Sequence, residues 1–373
     1  MEKAPAKLIF EYVKTEYYPE WGFRPGVPMY PMKMNFIFLN GGMGDYICWM
    51  RSIQWLMEKC TWIHGTLIAP DYFAEFANYW MKDFPNWRYM LYHKTKENPE
   101  VDQTPYRGPL DLQTQALNAT GAHLLTCGWV YFTNKEKAPV GWDDYPSFKS
   151  TDLMKVPLPA TARILEGKRF VIMITGTTTP SRTIPGKYWN PIIEYVREKG
   201  LIPVFLGKAK TITGNPRNIH TKWDSEIRFD LGVDMREQTT LMQAASLMNY
   251  AKLVIGHDSG LLHLAGCTDT PIVFGYNIAA PEHRKPRRKS GKVYDVFVPE
   301  SELACTFCQS RTNFVIGYNF QKCFYGDTKC IDMLFADSGA RWKRQIDLAL
   351  EESFTQSAFD TKLLDQVPHG LEV

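Results

Sequence analysis

The sequence has no apolar run near the ~20 residues that a membrane-spanning helix needs. Its opening, MEKAPAKLIFEYV, lacks the apolar core of a secretory signal. These absences lead us to expect a soluble, cytoplasmic chain, with peripheral membrane contact left open. Excess charge is also scarce: 43 Lys and Arg stand against 40 Asp and Glu, a net charge of +3. That is too little for a generic polyanion binder. The local exception is Arg284 to Lys292 (RKPRRKSGK), which reads as a solvated basic loop. The Gly-rich turn near the start, Gly41 to Asp45 (GGMGD), lacks the G-x-G-x-x-G spacing of a dinucleotide fingerprint.

With 373 residues, the chain has room for two domains with sizeable cores. Eleven Trp and 19 Tyr read mostly as core and loop packing, although aromatics can also be platforms for sugars or bases. Residues 1–30, rich in Tyr, Pro and charge, read as an extension ahead of the fold. Met34 to Leu39 is then a buried strand, and a helix runs from Tyr46 to Glu58 with apolar residues at helical spacing. Thr66 to Ala69 reads as a strand and Pro70 to Met81 as a helix, while residues 94–109 read as a surface loop. A linker is placed near Pro157 to Glu166. The pattern restarts with a strand at Arg169 to Ile174, a Thr-rich loop, a helix from Tyr188 to Lys199 and a strand at Ile202 to Leu206. A helix from Leu241 to Tyr250 follows, and an amphipathic helix from Arg341 to Phe354 closes the pattern. Strands alternating with helices in both halves imply an α/β fold with parallel sheets and a ligand cleft at their carboxyl ends.

Three motifs could carry chemistry. VIGHDSGLLHLAGCTDTPIVFG, Val254 to Gly275, reads as strand, tight loop, helix from Leu261 to Cys267, strand. Asp258 and Ser259 are the candidate N-caps, and the backbone N–H groups of such a loop favour an anion. The loop Gly176 to Pro191 offers hydroxyls from Thr177, Thr178, Thr179 and Ser181, with positive charge from Arg182 and Lys187. Those groups suit a diphosphate, and equally suit a polar loop ahead of a helix. In GGMGD, the glycines permit close backbone approach, and Asp45 falls at a helix start, where a carboxylate is stabilised or simply caps. His263, on the helix after HDSG, reads either as a ligand contact or as a hydrogen-bonded core histidine.

Taken in order, these motifs resemble the family 9 glycosyltransferases, the heptosyltransferase group. The resemblance spans roughly Asn35 to Ile331 and is most specific over Val254 to Gly275. It implies a GT-B fold, two Rossmann-like domains facing a central cleft. The first, residues 1–160, would bind the acceptor. The second, residues 161–345, would bind the sugar nucleotide, with a helix and tail in 346–373. It implies inverting transfer of a heptose or hexose from a nucleoside-diphosphate sugar to an acceptor hydroxyl. Asp45 would be the general base. Gly42 and Gly44 would shape its turn, and Thr177, Thr178, Arg182 and Lys187 would hold the diphosphate. Asp258, Ser259 and Gly260 would lie at the phosphate loop, with His263 behind. The charge of Lys187 and the helix N–H groups implies that catalysis needs no metal. One departure stands out: after IPVFLG the family usually carries an acidic residue toward the nucleoside, whereas this chain has GKAKTITG, Gly207 to Gly214.

Of eight cysteines, Cys48, Cys60, Cys127 and Cys267 read as small buried hydrophobes. Cys305, Cys308, Cys323 and Cys330 give C-x2-C, a gap of fourteen residues, then C-x6-C, within a loop spanning 305–330. Four thiols in a cytosolic chain favour a structural metal, zinc or iron, over disulfides, with free thiols as the alternative. The resemblance adds that similar clusters hold iron in the autotransporter-modifying branch of the family. The acceptor is expected to be a cell-surface saccharide. A protein side chain and a hydroxylated DNA base are the alternatives, the last engaging the Arg284 to Lys292 cluster. A non-enzymatic reading is a nucleic-acid-binding module built on the four-cysteine knuckle. Nothing in the sequence fixes the oligomeric state.

Overall fold

The computed structural model of the protein describes residues 32–37, 42–59, 63–91, 144–177, 182–208, 226–288, 291–308, 323 and 328–353. The N-terminal extension, the 94–109 loop, Gly41, Thr178, Thr179, Ser181, Cys60, Cys127 and the tail beyond residue 353 lie outside them. The chain divides into two compact units, Met1–Pro146 and Ser147–Val373.

In the first unit, β1 (Met32–Ile37) is followed by α1 (Met43–Lys59), β2 (Ile63–Ala69), α2 (Ala74–Met81) and β3 (Trp87–Leu91). The sheet order is β1-β2-β3, all parallel, with Met32 opposite Ile63 and Gly65 opposite Trp87. The apolar spacing read from the sequence holds α1 in place, because Ile47, Met50, Ile53 and Trp55 are all buried. The expected helix from Pro70 is α-helical only from Ala74, after a 3-10 turn at Asp71–Phe73.

The second unit opens with the short helix α3 (Ser150–Leu153) and a 3-10 stretch, then β4 (Phe170–Ile174), α4 (Gly186–Glu198) and β5 (Ile202–Phe205). Next come β6 (Val233–Asp234), α5 (Leu241–Tyr250), β7 (Val254–His257), α6 (Gly260–Ala265) and β8 (Ile272–Gly275). The unit ends with α7 (Pro281–Arg284), β9 (Val293–Val296), α8 (Lys329–Leu334) and α9 (Ala336–Ser353). Its sheet runs β6-β5-β4-β7-β8-β9, all parallel. Strand order reverses between β4 and β7, and the carboxyl end of such a switch point is where open α/β sheets take ligands.

Every residue of β4, β7 and β8 is buried, which explains their unbroken apolar runs. Two glycines permit this packing. A Cβ on Gly256 would stand 2.7 Å from the Ile174 carbonyl, and one on Gly275 would stand 2.4 Å from the Trp342 ring. Trp342 on α9 meets Trp189 on α4 at 5.2 Å between ring centroids, inside the main apolar core. A capping box of Thr240 and Gln243 starts α5. Segment 150–157 is strapped to that helix: Ser246 donates to the Leu153 carbonyl, Gln243 to the Pro157 carbonyl and Asn249 to the Ser150 hydroxyl.

Candidate functional site

At the carboxyl end of β7 the backbone N–H of Asp258 donates to the Gly275 carbonyl, and the side chain is sealed at 2% exposure. Arg182, at the end of the Thr-rich loop, donates from Nη1 to Asp258 Oδ2 at 2.9 Å. His263 Nε2 lies 3.6 Å from Asp258 Oδ1, too long for a hydrogen bond but within reach for electrostatic attraction. Burial alone would raise the Asp258 carboxyl. The Arg182 guanidinium, helped by His263 and by Arg284, instead holds it well below the usual carboxylate range. Asp258 is therefore a sealed carboxylate paired with the Arg182 guanidinium, with Arg284 adding to the pull.

Ser259 takes the N-cap position of α6 expected from the sequence, but its hydroxyl makes no capping bond and is buried without a partner among the described residues. The helix begins at Gly260, one residue ahead of the expected start, and spans only six residues. Thr177 is buried just beyond β4. Lys187 stands exposed on the first turn of α4, with Nζ 5.0 Å from the centroid of the Tyr188 ring.

Two residues of this neighbourhood were not singled out from the sequence. His257, the last residue of β7, is 3% exposed, and neither ring nitrogen has a hydrogen-bond partner among the described residues. Burial, with a contribution from Arg182, lowers its pKa to about 4 against the opposing pull of Asp258, so it is neutral at physiological pH. Its signal was a histidine ending an otherwise apolar strand. Arg284 is 9% exposed and close enough to Asp258 to help hold it ionised. It had been read as part of a solvated basic loop, and the structure corrects that reading. Arg288 is also withdrawn, donating to the carbonyls of Ala265, Thr268, Thr270 and Lys292, while Lys285 pairs with Asp295 at 2.7 Å. The four converging carbonyls make Arg288 an internal brace.

In the first unit, the Gly42 N–H donates to Asp45 Oδ2 at 2.7 Å, with Asp45 in the opening turn of α1. This is the carboxylate half of a capping box. Gly44 is buried and Asp45 half-buried. Behind it Tyr46 is buried against Phe73 and Tyr72, at 5.5 and 6.2 Å between ring centroids.

The four clustered cysteines, Cys305, Cys308, Cys323 and Cys330, are half-buried and form no disulfide. Burial first, then the nearness of Cys323, Cys308 and Cys305, pushes the Cys330 thiol up to about 12. The four sulfurs therefore share one neighbourhood. Among the described residues, however, no three His, Cys, Asp or Glu side chains stand at metal-holding geometry. The donor set is four soft thiols, which suits zinc or iron.

Two all-parallel units, one with a strand-order reversal and a cation-gripped carboxylate at its switch point, have the GT-B glycosyltransferase fold. Residues 136–313 match the family model of glycosyltransferase family 9 (heptosyltransferase). Among solved structures, it is similar to the dodecameric iron-containing glycosyltransferase TibC of enterotoxigenic E. coli H10407. That match has 15% identity, a TM-score of 0.60, and covers 87% of this chain and 78% of that one. TibC in complex with ADP-D-beta-D-heptose matches at 16% identity and TM-score 0.59, over 89% of this chain and 82% of that one. The E. coli ADP-heptose lps heptosyltransferase II matches at 13% identity and TM-score 0.51, over 87% of this chain and 100% of that one. No curated protein matches the sequence. Among the described residues no helix is long and apolar enough to cross a membrane.

Proposed function

We propose that the protein transfers a heptose or hexose from a nucleoside-diphosphate sugar to an acceptor hydroxyl, inverting the anomeric centre in one displacement. The observation that carries this reading is the Arg182–Asp258–His263 group at the β4/β7 switch point, with Arg284 beside it. Asp258 fixes Arg182 at a strand end suited to a diphosphate. Thr177, Thr178, Ser259 and Gly260 supply hydroxyl and backbone donors, and Lys187 a mobile ammonium. ADP-heptose is the donor we favour, supported by the ADP-heptose complex among the similar structures.

In this mechanism the acceptor oxygen attacks the anomeric carbon as the bond to the diphosphate oxygen breaks. Asp45 takes the acceptor proton in a turn shaped by Gly42 and Gly44, a task that suits a positioned carboxylate. The negative charge left on the nucleoside diphosphate is met by Arg182 and Lys187. The acceptor domain would be residues 1–160 and the donor domain residues 161–345. Cys305, Cys308, Cys323 and Cys330 would hold a zinc or iron ion, which would brace their loop.

A saccharide is the acceptor we rank first. The convergence of the four cysteines favours a second reading, a protein side-chain hydroxyl, given the resemblance to the iron-holding branch of the family. The test is calorimetric titration with ADP-heptose, ADP and the other nucleoside diphosphates. It is followed by transfer to a truncated lipopolysaccharide core and to a Ser/Thr-rich autotransporter passenger. Binding of one nucleotide class with transfer to the saccharide is the expected result. Folded protein that binds none of them overturns the proposal, and transfer to the polypeptide alone replaces the acceptor.

A further inference from the structure

Three large hydrophobic side chains are exposed among the described residues, and Tyr72, at 48%, is the aromatic one. It follows the carboxyl end of β2, as Asp45 follows that of β1. The two strands are parallel neighbours, with Ile37 opposite Ile68. Open α/β sheets take ligands at that end. Burial is the largest cause raising the Tyr46 and Tyr72 phenols, and the Asp45 carboxylate adds to both, which puts it beside the pair.

The Tyr72 ring is open yet held. Its plane lies 17° from that of the buried Tyr46, with centroids 6.2 Å apart, and the two hydroxyls are hydrogen-bonded. The turn beneath it is pinned. The Tyr89 hydroxyl donates to the Ala69 and Pro70 carbonyls at 2.8 and 2.7 Å, and the Phe73 N–H donates to the Pro70 carbonyl. Phe73 is sealed against Tyr46, Phe76 and Trp80, at 5.5, 5.8 and 6.2 Å between ring centroids. A ring fixed in this way has little freedom left to lose when a ligand lands on it.

With its hydroxyl engaged by Tyr46, Tyr72 offers a partner its aromatic face. That face is the negative side of the ring and attracts weakly positive C–H groups. The carboxylate beside it accepts from hydroxyls. A pyranose ring presents both, a flat array of C–H groups and hydroxyls around its rim. The neighbouring Asp71 and Glu75, both exposed, add negative charge that disfavours a nucleic-acid backbone. We propose that Tyr72 is the stacking platform for a pyranose ring of the acceptor, holding it with a hydroxyl toward Asp45. This rests on the reading of Asp45 as the base for the acceptor.

The test uses the full chain, with a truncated lipopolysaccharide core oligosaccharide as the probe. Tyr72→Ala should keep the parent's calorimetric affinity for ADP, while its KM for the oligosaccharide rises by roughly three- to tenfold. Tyr72→Phe keeps the ring and should restore most of that loss. Both variants lack the hydroxyl bonded to Tyr46, so the difference between them reports the ring alone. Asp45→Asn protein should hold the oligosaccharide without turning it over. In its presence the sugar C–H protons should move upfield under the aromatic ring current, and adding Tyr72→Ala should abolish that shift. A parent-like KM in Tyr72→Ala, or upfield shifts that survive it, would overturn the inference and leave Asp45 standing. Full turnover by Asp45→Asn would remove the base and the inference built on it. An oligosaccharide that the parent neither binds nor glycosylates would refute a pyranose as the occupant.

Discussion

Two turns in this chain share one plan, a parallel strand leading through a Gly- and Asp-bearing loop into a helix, yet they hold their carboxylates in opposite ways. Asp45 is half-buried and accepts a bond from its own turn, the Gly42 N–H. Asp258 is sealed and gripped by Arg182, a residue 76 positions away, with His263 nearby. A half-buried carboxylate in the opening turn of a helix keeps part of its surface open to solvent. One sealed against an arginine is already engaged by that partner. The same residue type after the same strand–loop pattern is therefore open in one turn and sealed in the other.

The comparison breaks most sharply at Asp45. Asp45→Asn keeps an acceptor for the Gly42 N–H, so the thermal midpoint should barely move. The rate of sugar transfer should fall by roughly 10²- to 10⁴-fold, the usual worth of a general base. A turnover within a fewfold of the parent would leave Asp45 as a cap alone. Asp258→Asn should do the reverse first. It leaves the Arg182 guanidinium buried without its counter-charge, and breaking a buried pair in this way costs about 3–5 kcal/mol. Urea unfolding should show that loss without any ligand present, and a parent-like midpoint would mean that the Arg182–Asp258 pair adds nothing to stability.

The smallest effect concerns acid. The pKa of His257 falls from 6.5 to about 4 on folding. Below pH 6.5 the unfolded chain takes up a proton that the folded chain refuses, so stability is lost as pH falls toward 4. The slope approaches about 1.4 kcal/mol per pH unit in that window. Asp258, whose folded value lies well below its unfolded one, adds stability above the ordinary carboxylate range and gives it up only at lower pH. Thermal midpoints taken from pH 7 to pH 5 should therefore fall more steeply in the parent than in His257→Leu. Equal slopes would mean that His257 finds a partner in solution.

Much of the fold was legible because its central strands are buried on both faces. β4, β7 and β8 showed as unbroken apolar runs, and α5 came out with the same ends, Leu241 and Tyr250, that the structure gives it. The strands β3 and β9 did not show. Trp87–Leu91 and Val293–Val296 lie at the edges of the described sheets, carry an exposed Arg88 or a half-buried Asp295, and owe their existence to distant partner strands. The site divides in the same way. HDSG, Arg182 and Lys187 were visible as residue types in loops, whereas the pairing of Arg182 with Asp258 is a long-range fact. Arg288 reads as surface charge in any local window, and only the fold brings four backbone carbonyls around it.

The strap of residues 150–157 along α5 bears on how this enzyme can be taken apart or recombined. Its carbonyls and hydroxyl satisfy Ser246, Gln243 and Asn249, and Ser246 is fully buried. A fragment of the second unit beginning at residue 160 would arrive with those groups stripped of partners and with the surface beneath the buried Leu153 laid open to water. A fragment beginning at Ser147 keeps all three of those hydrogen bonds within one piece.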